Sequence, residues 1–233
     1  MLLNLVQKEA TLPVSHLSSK KHTYDQVVNL VFEPRLFQKP STFEIIEIPD
    51  GNVVIYRDLI TTPETTEFLG RLVEEIKWRS DTISMFGQKI RIPRLNSWYG
   101  DEGKVYTYSG IRLEPLPWTP LLKELRNRVR KIAKVPFNSV LANLYRDGSD
   151  SVGWHADNEP ELGFEPVIGS LSFGASRTLK MRRRDNTHQI AVKLHDGDLM
   201  IMRGMTQEFW VHSLPKTRRP IGFRVNLTFR TIL

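Results

Sequence analysis

Three residues far apart in the chain could do metal chemistry together. His155 and Asp157 stand two positions apart in Trp154-His155-Ala156-Asp157, and His212 follows 55 residues after Asp157. On a β-strand, residues two apart point to the same face. His155 and Asp157 could then offer an imidazole and a carboxylate to one point, with His212 bringing a second imidazole from a distant strand. Two His and one carboxylate, with the remaining positions open, form the ligand set of non-haem Fe(II) oxygenases. The plain alternative is that His-x-Asp is a chance pair and His212 a hydrogen-bonded or surface residue.

A second constellation lies in the C-terminal run Phe223–Arg230. Its alternation puts Arg224, Asn226, Thr228 and Arg230 on one face and Val225, Leu227 and Phe229 on the other. A solvated polar face is the plain reading. The chemical reading is a site for a small dianion, because guanidinium grips carboxylate through a planar fork. A 2-oxo acid could chelate the metal through its carboxylate and keto oxygens and leave one position for O2. Arg224 or Arg230 would clamp its remote carboxylate, and Asn143 and Tyr145, two apart on one predicted strand, could donate to the same ligand.

Several segments together resemble the AlkB family. They are Asn143 to Gly148, His155-Ala156-Asp157, Phe173-Gly174-Ala175, Trp210 to Pro215 and Arg224 to Arg230. Within the family the chain is most similar to the nucleic-acid dealkylating branch, AlkB homologues 2 and 3, from about Tyr56 to Leu233. The resemblance implies a double-stranded β-helix, or jelly roll. It implies Fe(II) on His155, Asp157 and His212, and 2-oxoglutarate on Asn143, Tyr145, Arg224, Asn226, Thr228 and Arg230. It implies a reaction in which 2-oxoglutarate and O2 become succinate and CO2, an N-methyl group is hydroxylated and formaldehyde leaves. It also places substrate contacts. Met85, Phe86 and Gly87 match the tip of a finger inserted into the base stack, Tyr106 an aromatic of the nucleotide lid, and Arg94 a polar position nearby. Trp154 falls beside the lesion pocket, with a place in the core as its alternative. Close relatives carry Asp after the iron Asp, and then Glu; here the run is Asp157-Asn158-Glu159, which bears on substrate choice and leaves the metal site alone.

The elements that must position these residues are mostly strands. After Asn138, short runs separated by turn residues predict an antiparallel sandwich or jelly roll: 139–146, 167–173, 178–183, 189–194, 199–202, 209–212 and 223–230. Asp196-Gly197 reads as a hairpin turn. Thr62-Pro63-Glu64 and Thr119-Pro120 read as helix starts, the first with Thr62 as cap. Five Lys or Arg between 123 and 131 form a basic row on the second helix, most simply a solvated face. The fold class is mainly β with flanking helices, an α+β jelly roll. Residues 1–40 read as an extension, and 41–233 as one dioxygenase domain with nucleotide-recognition hairpins at about 80–110.

Bulk properties agree with this. The chain has 233 residues, no Cys and a formal net charge of +7. Without Cys, disulfides, zinc–thiolate sites, iron–sulfur clusters and cysteine nucleophiles are excluded. The positive balance suits a nucleic acid. No apolar run approaches the roughly 18 residues of a membrane span, and the start is too short and polar for a secretory signal. The expectation is a soluble intracellular monomer, cytoplasmic or nuclear, acting on N-alkylated bases such as 1-methyladenine and 3-methylcytosine in DNA. The alternatives are RNA or protein demethylation with the same cofactors, and a non-catalytic nucleic-acid-binding jelly roll. Asp157→Ala is expected to abolish turnover with little effect on folding, and Arg230→Ala to raise the 2-oxoglutarate requirement.

Overall fold

The computed structural model describes residues 42–85, 88–104, 106–108 and 111–233. The expected extension 1–40 and the hairpin tip Phe86-Gly87 lie outside the described residues. In chain order the elements begin with β1 (Phe43–Ile46), β2 (Asn52–Tyr56), α1 (Thr62–Glu75), β3 (Thr82–Met85), β4 (Gln88–Arg91), β5 (Leu95–Gly100), β6 (Tyr106–Tyr108), β7 (Ile111–Leu113) and β8 (Leu116–Pro117). They continue with α2 (Pro120–Ala133), β9 (Ser139–Tyr145), β10 (Val152–His155), a 3-10 turn (Pro160–Leu162), β11 (Ile168–Gly174), β12 (Arg177–Arg183) and β13 (Gln189–Leu194). Last come β14 (Leu199–Arg203), α3 (Thr206–Phe209), β15 (Trp210–Leu214) and β16 (Arg224–Arg230).

Two sheets face each other, with helices behind the larger. The large sheet has eight strands in the order β1-β2-β14-β11-β16-β9-β5-β8, and the small sheet four, β10-β15-β12-β13. Every pairing in them is antiparallel except β5 with β8. One core joins the helices to the large sheet through Phe68, Leu72, Leu122, Leu125 and Val129 against Leu171, Val225, Leu227 and Phe229. A second core fills the space between the sheets, with Ile55, Ile168 and Met200 meeting Leu179, Met181 and Leu214. This is the expected jelly roll.

Local chemistry explains the helix starts. Thr119 caps α2 by accepting the Leu122 N–H at 3.2 Å, and Pro120 follows where its missing N–H costs nothing. The cap of α1 is Thr61, one residue earlier than expected: Glu64 accepts the Thr61 backbone N–H at 3.3 Å and its hydroxyl at 2.9 Å. The basic row on α2 is partly spent on ion pairs, with Arg128 on Glu64 and Glu124 and Arg126 on Asp101.

Asp196-Gly197 is a turn without a hairpin. The strands it joins, β13 and β14, belong to different sheets, so the turn is a corner of the sandwich. Asp196 fastens that corner, accepting the Gly174 N–H at 2.7 Å and the Thr65 hydroxyl at 2.6 Å. Gly197 has φ +79°, and a Cβ there would lie 2.2 Å from the Ile60 carbonyl oxygen. Side chains distant in sequence therefore choose the corner over the hairpin that Asp-Gly suggests locally.

The strand β16 carries the largest departure from a surface reading. All seven of its residues are buried. Val225, Leu227 and Phe229 pack toward the helices, while Arg224, Asn226, Thr228 and Arg230 line a cavity between the sheets. The predicted alternation is correct, and neither face is solvated, because this strand lies between two layers.

Candidate active site

The cavity encloses about 620 Å³ including its open mouth. Its wall includes His155, Asp157 and His212 together with Asn143, Tyr145, Arg224, Asn226, Thr228 and Arg230. Strand pairing brings them there. His155 on β10 is the register partner of His212 on β15, which places the two rings 4.3 Å apart between centroids. On the opposite wall β16 pairs with β9, setting Asn226 across from Asn143 and Arg224 across from Tyr145.

Asp157 reaches the cavity by a different route from the one expected. The strand β10 ends at His155, so Asp157 is not held by strand alternation. Its backbone N–H donates to Gln207 Oε1 at 2.9 Å, and Gln207 is itself buried on α3. Gln207 is a positioning residue that the sequence reading missed; nothing in Thr206-Gln207-Glu208 marks it. One oxygen of Asp157 accepts from the Arg230 guanidinium, and the other lies 3.9 Å from His212 Nε2.

The electrostatics suit a divalent cation. Burial drives the His212 pKa down to about 3, with His155 adding to the effect, so the ring is neutral at ordinary pH. Burial pushes the Asp157 carboxyl up, but the neighbouring Arg230 guanidinium outweighs it and holds the carboxyl below its ordinary value. His155 Nδ1 lies 2.9 Å from the Gly153 carbonyl oxygen. A carbonyl only accepts, so Nδ1 is the donor in this contact, leaving Nε2 as the nitrogen that could face a metal. Among the described residues no three His, Cys, Asp or Glu are set as a finished metal site, and one oxygen of Asp157 is engaged by Arg230. Two imidazoles and one carboxylate at one cavity wall are nevertheless the donor set that Fe(II) takes.

The two arginines of β16 have different work. They are six residues apart, which is roughly 20 Å of strand at about 3.3 Å per residue. Arg230 pairs with Asp157. Arg224 is buried and donates to Ser172 Oγ at 3.1 Å, but no carboxylate faces it among the described residues and its Nε lacks a hydrogen-bond partner. Burial lowers its pKa to about 10, partly offset by Tyr145. A buried guanidinium in that position favours an anionic ligand. Thr228 donates to Asn226, whose amide donates to Ser170 Oγ at 2.8 Å, fixing this wall.

The expected substrate contacts scatter. Arg94 is buried in the cavity wall, donating to Asn143 Oδ1 at 2.8 Å and to the Ser151 carbonyl at 3.3 Å. It therefore orients the Asn143 amide, with its NH2 left to donate. Met85 ends β3 and Tyr106 begins β6, in the two small hairpins, while Phe86 and Gly87 lie outside the described residues. Trp154 neither lines the cavity nor sits in a core: it is 41% exposed, on the opposite side of β10 from His155. Asn158 is exposed and Glu159 half-buried, both beyond the end of the strand.

Comparison with known proteins agrees with this geometry. Residues 52–230 match the family model of the 2OG-Fe(II) oxygenase superfamily. The chain is 40% identical over 232 residues to the human alpha-ketoglutarate-dependent dioxygenase alkB homolog 3, covering 93% of this chain and 80% of that one. It is 37% identical over 189 residues to the bovine DNA oxidative demethylase ALKBH2, covering 76% and 68%. The solved structure of OsALKBH1 shares the fold, with a TM-score of 0.57 at 16% identity over 81% of this chain and all of that one. With the superfamily match spanning most of its length and relatives of this identity, the chain belongs to the 2OG-Fe(II) oxygenases and, within them, to the DNA-repair branch of the AlkB dioxygenases.

Proposed function

We propose that this protein oxidatively removes N-alkyl groups from damaged bases in DNA, through a catalytic domain spanning residues 41–233. The observation that carries the reading is the convergence, in one cavity, of His155, Asp157 and His212 with the buried, carboxylate-free Arg224. His155, Asp157 and His212 would hold Fe(II). Arg224 would take the remote carboxylate of 2-oxoglutarate, with Tyr145 and the Asn143 amide beside it. When bound, iron and 2-oxoglutarate supply the activation of O2 that hydroxylates an N-methyl group, after which formaldehyde leaves. The chain's own contribution is placement: Gln207 and Arg230 hold Asp157, Arg94 turns Asn143, and the open mouth admits a base taken out of its stack. DNA as substrate is supported by the likeness to a protein named a DNA oxidative demethylase. The deciding assay supplies Fe(II) and 2-oxoglutarate with methylated single-stranded DNA, duplex DNA, RNA and a methylated peptide. Succinate and loss of the methyl mark are measured together, and coupled turnover on the peptide alone would defeat the reading.

Two expectations follow for the substrate. Phe86 is the proposed wedge at the β3–β4 tip. Unstacking costs a few kcal/mol only where a stack exists, so Phe86→Ala is expected to slow repair of duplex DNA more than of single strands. Equal losses on both would show that Phe86 merely packs its hairpin. Asn158 is exposed beside the buried Asp157. A carboxylate there would favour cationic lesions such as 3-methylcytosine, because charged hydrogen bonds are roughly twice as strong as neutral ones. Asn158→Asp is expected to raise kcat/KM for a cationic lesion over a neutral one by about tenfold. The check is a competition in one oligonucleotide context at matched iron content, and an unchanged ratio would remove position 158 from lesion choice.

A further inference from the structure

The small sheet has a second face. Met181 on β12 pairs with His212, and His212 with His155, so this row of side chains points between the sheets. Alternation turns Arg182 outward, and Trp154, in the irregular stretch of β10 between Val152 and His155, is exposed and absent from the cavity wall. They meet on that outer side, with the Arg182 guanidinium 4.7 Å from the Trp154 ring centroid. Lys180, two residues before Arg182, shares the face. Lys193 extends it from β13 as the register partner of Thr178.

The charge on this face is uncompensated. Among the described residues, Lys180, Arg182 and Lys193 have no carboxylate partner, and the buried Arg182 Nε has no hydrogen-bond acceptor. Arg183, one residue on and facing the other way, is paired with both Asp50 and Asp185. An indole left 41% exposed and layered with a guanidinium presents a flat surface flanked by cations. Flat rings beside cations are what single-stranded nucleic acid uses, because every base has a face to stack and every linkage a negative charge. The location also fits. The strand β10 is the edge of its sheet, and Trp154 on it adjoins the cavity-lining His155.

We propose that the outer face of the small sheet, built from Trp154, Arg182, Lys180 and Lys193, holds the strand flanking the target nucleotide. One base stacks on the Trp154–Arg182 layer, and phosphates lie on the cations. The proposal deepens the DNA reading above and rests on it. Such contacts position the strand without reading its sequence.

The test measures binding of an unmodified, labelled oligothymidylate of about 20 nucleotides to the full chain loaded with Fe(II) and 2-oxoglutarate, across a salt series. Trp154→Ala is expected to weaken binding about tenfold, and Trp154→Phe to retain most of it. Lys180→Ala and Lys193→Ala are each expected to flatten the slope of log affinity against log salt by about 0.7. Thermal midpoints check that the variants fold, and the exposed Lys193 keeps the test alive if Trp154→Ala does not. Unchanged affinity and slope in the folded variants would overturn the proposal. So would polyglutamate binding as tightly as the oligonucleotide, with the same loss in Trp154→Ala, since the face would then be one for acidic protein. A wild-type protein that leaves methylated DNA intact would instead sink the substrate reading. One that demethylates DNA while the folded variants bind the oligonucleotide like wild type would sink this face alone.

Discussion

Asp157→Asn is expected to abolish succinate formation while leaving the protein folded, and Asp157→Ala to abolish it at a heavy cost in stability. The sequence alone suggests that the Ala change spares folding; the structure says otherwise. Asp157 and Arg230 are both buried, and they pair with each other. Removing one partner of a buried ion pair strands the other charge, which costs about 3–5 kcal/mol. Asn loses the charge needed for a divalent metal but keeps an oxygen that Arg230 can donate to and a backbone N–H for Gln207, so it destabilises less than Ala. The double change Asp157→Ala with Arg230→Met removes both charges and should regain much of the lost stability without regaining turnover. Urea denaturation and a succinate assay at saturating Fe(II) measure the two effects separately. Wild-type succinate yield from Asp157→Asn would end the assignment of Asp157 to the metal. Equal stability of Asp157→Ala and wild type would mean that the Arg230 pair contributes nothing.

Arg224→Met should show the reverse pattern. Arg224 is buried without a carboxylate among the described residues, so its removal should not destabilise the ligand-free protein and should even raise its thermal midpoint. The KM for 2-oxoglutarate should rise roughly thirty- to one-hundred-and-fiftyfold, as expected for losing a charge-assisted contact worth about 2–3 kcal/mol. The sequence reading placed this effect on Arg230, with Arg224 or Arg230 as the clamp. Arg230 pairs with Asp157, so Arg230→Ala should act chiefly on stability. A 2-oxoglutarate titration of Arg224→Met with wild-type KM would refute the clamp.

Much of the site was legible because strands repeat every two residues. That period alone put Arg224, Asn226, Thr228 and Arg230 on one side of β16, and the same logic joined Asn143 to Tyr145; both groupings hold in the cavity wall. The jelly roll was legible from the spacing of short strands, and the α2 start from Thr119-Pro120. The period stops being informative where a strand stops. Asp157 and Glu159 lie beyond the end of β10, so alternation could not orient them, and a buried glutamine on α3 holds Asp157 instead.

Residue types and their two-residue period were set in the chain itself: which groups could bind a metal, which could grip an anion, and which side chains share a face. Whether a face meets water, a core or a ligand depended on the layer stacked against it, and local sequence carries no record of that layer. Only the sandwich buried both sides of β16, made His155 and His212 neighbours across 57 residues of chain, gave Arg230 to Asp157 and buried Arg224 with no carboxylate beside it among the described residues. It also put Trp154 outside, on the far side of the strand whose next residue faces the cavity.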